Sequence, residues 1–144
     1  MKLYVIRHGN TDSNRLDIYN GKLLNEDINN IGIKQAQEAS KKIKNLNLDL
    51  IICSPLLRTR HTCDIINSNK IKVIYDDRIE ERNCGVLTNT KIDNFYYTEY
   101  WNYYSKVKID NLETVPELFK RVNLFLDEIK KKYRGQNILL VTHG

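Results

Sequence analysis

Two histidines and two arginines stand where they could act together on one anion. Arg7-His8-Gly9-Asn10-Thr11 follows the apolar run Leu3 to Ile6, and Thr142-His143-Gly144 follows the apolar run Ile138 to Val141. Each histidine therefore closes an expected strand, and in an open parallel sheet the carboxyl ends of the strands form the binding crevice. One strand-end histidine is most often structural. A second at the matching end makes a shared pocket the better reading. Ser54-Pro55-Leu56-Leu57-Arg58-Thr59 places Arg58 in the first turn of the next helix, at the same edge. Arginine presents a planar fork of donors that matches phosphate oxygens, so Arg7, Arg58, His8 and His143 are expected to converge on an oxyanion. Taken singly, Arg58 could equally be a surface arginine. Arg60 and His61 share its helix but face elsewhere and are read as surface residues.

The elements that must hold these groups alternate between short apolar runs and amphipathic stretches, the pattern of a parallel sheet flanked by helices. Leu3 to Ile6, Asp49 to Cys53, Ile71 to Tyr75 and Asn137 to Thr142 read as strands. Ile33, Ala36, Ala39 or Ser40, Ile43 and Leu46 recur at helical spacing after Asn30, as do Leu118, Val122, Phe125, Leu126 and Ile129 after Thr114. A third helix is expected from Pro55 to about Asn67, with Ser54 as N-cap and Pro55 at the first helical position. The aromatic cluster Phe95, Tyr96, Tyr97, Tyr100, Trp101, Tyr103 and Tyr104 is assigned to a helical insertion at about 86–112. The expected architecture is one α/β domain over residues 1–144, a mainly parallel sheet with helices on both faces.

Composition limits the alternatives. The 144 residues carry 41% apolar and 28% charged side chains with only 6 Gly and 2 Pro, a globular profile that excludes disorder and collagen. No apolar run approaches the roughly 20 residues of a bilayer span, and the amino terminus is too short of apolar residues for a secretory signal. Cys53, Cys63 and Cys84 are an odd number without Cys-x-x-Cys spacing, which fits reduced thiols in a cytoplasmic protein. A net charge of +5 suits an anionic ligand. The surplus lies largely in Lys41-Lys42 and Lys130-Lys131-Lys132, read as solvated helix faces, so neither nucleic acid nor membrane is expected as a partner. A zinc site is disfavoured because no short ligand spacing occurs.

With these residues in place, the sequence resembles the histidine phosphatase superfamily, in its phosphoglycerate mutase-like branch, over nearly its whole length. Arg7, His8, Gly9 and Thr11 match its opening signature, and Asn14 falls where an asparagine commonly lies near the phosphate. Gly21 and Gly32-Ile33-Lys34-Gln35-Ala36 are similar to its glycine-containing stretch, and Ser54-Pro55-Leu56 with Arg58-Thr59 and Thr62 to its second-arginine motif. Glu81 stands four residues before Gly85, as in its acid motif; Glu113 and Arg121-Val122 match the pair before the last strand, and Thr142-His143-Gly144 its closing string. The order of the strings, more than any one of them, carries the resemblance.

The resemblance implies a phosphomonoesterase acting on a small phosphorylated metabolite with no cofactor and no metal. His8 would be the nucleophile, dividing hydrolysis into two steps through a phosphohistidine. Arg7, Arg58 and His143, with Asn14 and Gly21 in support, would hold the phosphate oxygens. Glu81 would protonate the leaving alkoxide, its pKa raised by the like charge of the phosphate, and then activate water. Glu80 is its rival by adjacency, and the family spacing alone selects Glu81. The short stretch between Gly85 and Glu113 suits the compact phosphatases better than bisphosphate-dependent mutases. Its aromatic residues fit a lid over the leaving group or a helix closing the core. Cys84 is read as a packing residue.

Two departures from the family pattern bear on activity. The sequence stops after the second histidine, where the family continues with a covering helix. One sheet face is therefore expected to expose apolar surface and to favour association, for instance as a homodimer. A terminal carboxylate there would oppose phosphate binding by about 2 kcal/mol at ~7 Å and an effective dielectric near 20. Glu26-Asp27-Ile28-Asn29 also replaces a loop that often carries proline and leucine. A phosphoglycerate mutase and a weakened phosphate binder are the alternative readings.

Overall fold

A computed structural model describes residues 1–144. Four strands, β1 (Lys2–Arg7), β2 (Leu50–Cys53), β3 (Val73–Tyr75) and β4 (Asn137–Thr142), form one sheet in the order β1-β4-β2-β3. All three pairings are parallel, as the alternating pattern requires. The helices are α1 (Asp12–Arg15), α2 (Asn30–Ile43), α3 (Leu57–Ile66) and α4 (Val115–Lys132).

Side-chain alternation along the two central strands builds a core on each face. Ile51 and Cys53 of β2 with Leu139 and Val141 of β4 meet Ala36 and Ile43 of α2 and Cys63 and Ile66 of α3. Leu50, Ile52, Ile138 and Leu140 point the other way, onto Ile79 and onto Phe125 and Ile129 of α4. At β1 that second face is only partly covered, and Val5 is 59% exposed beside an apolar groove that includes Leu3, Leu118, Val122 and Leu126. No helix is long and apolar enough to cross a membrane.

Capping chemistry sets the helix starts. Thr114 and Glu117 form a reciprocal capping box at α4, with Pro116 in its first turn, and the Asn29 side chain accepts the Ile31 and Gly32 amides at α2. The start of α3 differs from expectation: Leu56 is its N-cap, no side chain caps it, and the helix begins at Leu57. Ser54 is drawn off to another partner, described below.

The aromatic stretch is also less helical than its spacing suggests. It contains one π-helical turn, Tyr96–Tyr100, after a 3-10 turn at Gly85–Leu87, and continues as turns to Thr114. Tertiary packing fixes it instead. Tyr19, Cys84 and Tyr100 are buried together against Ile92, Phe95, Tyr96 and Leu112. Gly85 allows the segment to fold back, because at its φ of +53° a Cβ would lie 2.2 Å from the Asp110 carbonyl oxygen.

Candidate active site

The sheet register brings the two histidines together. Arg7 of β1 pairs with Thr142 of β4, and the His8 amide donates to the Thr142 carbonyl at 3.0 Å. Each chain then leaves the sheet with a histidine, and the two rings lie 5.2 Å apart at 59°. Both side chains are almost fully buried.

Backbone contact holds the His8 loop against α2. A Cβ on Gly9 would lie 2.6 Å from the Gly32 carbonyl oxygen, and one on Gly32 would lie 2.4 Å from that of Asn10, so both positions demand glycine. Thr62 pins the loop to α3 by accepting from the Gly9 amide at 2.9 Å and donating to the Arg58 carbonyl at 2.6 Å.

His8 is fixed in one tautomer. Its Nδ1 lies 2.7 Å from the Gly9 carbonyl oxygen, which can only accept, so Nδ1 carries the proton and Nε2 keeps a lone pair. Burial lowers the His8 pKa to about 4 against the pull of the Gly9 bond, and the Arg58 and Arg7 charges push the same way as burial. The ring is therefore neutral near pH 7.

His143 is lowered further, to about 2, by burial first and then by Arg58, His8 and Arg7. Its Nε2 lies 2.9 Å from Ser54 Oγ. Its Nδ1 is buried without a hydrogen-bond partner, 3.9 Å from Glu81 Oε2. Ser54 is the residue the sequence placed wrongly. The Ser54 amide donates to the Val141 carbonyl and extends the β2–β4 ladder, which aligns its hydroxyl with His143 rather than with α3. Parallel pairing of those strands was the signal that could have found it.

Arg58 is fully buried, which removes the surface alternative. One Nη donates to the Gly21 carbonyl at 2.8 Å and the other to that of Leu24 at 3.1 Å, while Nε has no partner. The guanidinium thus braces the loop after Tyr19 and still acts on both histidines and Glu81 by its charge. Gly21 receives it at φ +57°, where a Cβ would strike Cys84 Sγ at 2.7 Å. Arg60 is exposed over the Tyr75 ring, and His61 pairs with Asp27 at 2.9 Å, both away from the site.

Glu81 has its pKa raised, and the cause in this structure is burial rather than a neighbouring anion. Its backbone is held from behind. Arg121 donates to the carbonyls of Arg78, Glu80 and Glu81 and to both carboxylate oxygens of Glu113, whose Oε2 also accepts the Asn83 amide at 3.1 Å. Glu80 is instead paired with Lys22 at 3.6 Å.

A cleft opens at this edge, lined by Arg7, Asn14, Gly21, Glu81 and Gly144 together with Asp17, Ile18, Tyr19, Ile92, Tyr96, Tyr100 and Trp101. His8, Arg58 and His143 are not among its lining residues; His143 instead lines the apolar groove beside β1, together with Glu81, Trp101 and Gly144. Asn14 Oδ1 accepts the Thr11 amide in a capping box, so its NH2 end is the one without a partner. The arrangement offers a neutral imidazole lone pair, arginine charge and a carboxyl whose pKa is raised by burial, all at one edge of the sheet.

Comparison with known proteins identifies the family and the fold. The family model described as "Histidine phosphatase superfamily (branch 1)" matches residues 3–144. A Hydrogenobacter thermophilus protein named "Phosphoserine phosphatase 1" is 30% identical over 150 residues, covering 99% of this chain and 71% of that protein. The Yersinia pestis protein named "Probable phosphoglycerate mutase GpmB" is 32% identical over 151 residues, covering 100% and 70%. The crystal structure of the alpha-ribazole phosphatase from Shigella flexneri superimposes with a TM-score of 0.83 at 27% identity, covering 99% of this chain and 74% of that one. Phosphoglycerate mutase from Thermus thermophilus shares the fold, with a TM-score of 0.80 at 23% identity over 100% and 78% of the two chains. With a family model spanning all but its first two residues, the chain belongs to branch 1 of the histidine phosphatase superfamily, whose members are enzymes.

Proposed function

We propose that the chain hydrolyses the phosphomonoester of a small metabolite through a phosphohistidine on His8. The observation that carries this reading is the Nδ1–H bond to the Gly9 carbonyl, which leaves Nε2 unprotonated and fixes the ring. In the first step Nε2 bonds to phosphorus as the ester P–O bond breaks, and Glu81 gives its proton to the departing oxygen. In the second, Glu81 as carboxylate takes a proton from water while the water oxygen bonds to phosphorus and the N–P bond breaks. Arg7 and Arg58 supply positive charge to the phosphoryl oxygens, and His143 Nδ1, carrying a proton when Ser54 donates to Nε2, supplies a neutral donor.

Relatives named for phosphoserine, phosphoglycerate and alpha-ribazole phosphate bracket the reaction type, and a mutase would use the same groups to return the phosphoryl to an organic hydroxyl. Product analysis separates the two. Release of inorganic phosphate from p-nitrophenyl phosphate, lost in His8→Ala, supports the phosphatase; isomerisation of 3-phosphoglycerate without phosphate release contradicts it.

A further inference from the structure

The walls of the cleft carry information about the leaving group. Two segments form them. Residues 17–21 are bound edge to edge with residues 89–92: the Tyr19 amide donates to Thr90, that of Asn89 to Tyr19 and that of Ile92 to Asp17, with Ile18 bridged to Lys91. The aromatic turn completes the wall, with Tyr96 and Tyr100 stacked at 5.3 Å and Trp101 edge-on to both.

Charge is sparse on this surface. Arg7 is the one cation lining the cleft, and Asp17 and Glu81 are its two acids. The nearby cations are engaged elsewhere. Lys22 pairs with Glu80, Lys91 Nζ donates to the Leu16 carbonyl, and the buried Arg82 donates to the Glu113 and Tyr100 carbonyls under the Tyr100 ring.

We propose that the leaving group this site takes is an uncharged, ring-bearing alcohol, and that phosphate esters carrying a carboxylate next to the phosphate are excluded. The proposal rests on the phosphate seat described under the proposed function. With Arg7 committed to the phosphoryl group, a second anion would meet no counter-charge and would face Asp17. An uncharged ring instead finds apolar area from Ile18 and Ile92 and aromatic edges and faces from Tyr96 and Trp101, the partners that rings prefer. Phosphoserine and phosphoglycerate fall in the excluded class.

The test needs no turnover. Benzylphosphonate and phosphonoacetate share a methylene phosphonate and differ in carrying a ring or a carboxylate. Trp101 is the chain's one tryptophan, so its emission reports occupancy of the cleft directly. The expected result is that benzylphosphonate binds the unaltered chain at least tenfold more tightly. Ile92→Ala and Tyr96→Ala should each narrow that ratio, Tyr96→Phe should keep it, and Ile18→Lys should shift it toward phosphonoacetate. Equal or tighter binding of phosphonoacetate overturns the proposal, as does a ratio unmoved in folded Ile92→Ala and Tyr96→Ala proteins. Inorganic phosphate is titrated alongside. Phosphate binding without a preference for the ring defeats the leaving-group assignment alone, whereas failure of phosphate and both phosphonates to bind defeats the phosphate seat as well.

Discussion

Ser54 Oγ and His143 Nε2 stand 2.9 Å apart across the β2–β4 boundary, and both side chains are buried. A serine hydroxyl donating to Nε2 puts the imidazole proton on Nδ1, the atom left without a protein partner near Glu81. Removing the hydroxyl strands a buried ring nitrogen and frees the tautomer. Ser54→Ala should therefore cost about 1–3 kcal/mol of stability and lower kcat by roughly tenfold. Urea unfolding and steady-state phosphate release measure the two effects.

Acid should destabilise the fold through the histidines. His8 and His143 titrate at about 4 and about 2 when folded, below the ordinary 6.5 of the unfolded chain. The unfolded state binds more protons in that interval, so stability falls as pH drops below 6.5 and keeps falling until the folded pKa is reached. Between pH 6.5 and 5 each histidine should remove about 1.5 kcal/mol. Glu81, raised by burial, acts in the opposite sense and gains stability as pH falls. Comparing the unfolding free energy of the chain with that of His8→Asn over this range isolates one histidine, and the variant should show the shallower slope.

Glu81 should govern the alkaline limb of the rate profile, since the first step needs its proton and its pKa is raised. Glu81→Gln should remove that limb and lower kcat/KM for an alkyl phosphate by about 100- to 10,000-fold. The loss should be much smaller with p-nitrophenyl phosphate, whose phenolate departs without protonation.

Arg121 acts on the reaction only through position. Its planar fork serves three carbonyls of the Arg78 to Glu81 segment and the Glu113 carboxylate. Lysine cannot reproduce that geometry, so Arg121→Lys should cost about 2 kcal/mol of stability and displace the Glu81-dependent limb. Thermal unfolding and a pH profile of kcat together distinguish this from a purely structural loss.

Much of this arrangement is legible in the amino-acid sequence. Strands and long helices follow from apolar spacing, because Ile51 and Ile52 or Leu139 and Leu140 must be buried on opposite faces. The meeting of His8 and His143 follows from parallel pairing, which sets matching strand ends side by side. Side-chain partnerships that depend on which neighbour wins were not legible. Ser54 is a good helix cap by type, yet its place in the sheet ladder gives it to His143. Arg58 could be read as a surface residue until the Gly21 and Leu24 carbonyls enclosed it. The aromatic stretch has helical spacing, but the Tyr19 and Cys84 packing and the fold-back at Gly85 leave room for a single turn.

Covalent phosphorylation of His8 Nε2 is the step on which all the others depend. Quenching the protein in base during turnover of a labelled phosphomonoester and mapping the label by peptide tests this directly. The predicted result is an acid-labile, base-stable phosphoryl group on the peptide carrying His8, absent from His8→Ala. Label on another residue, or full turnover by His8→Ala, would contradict it.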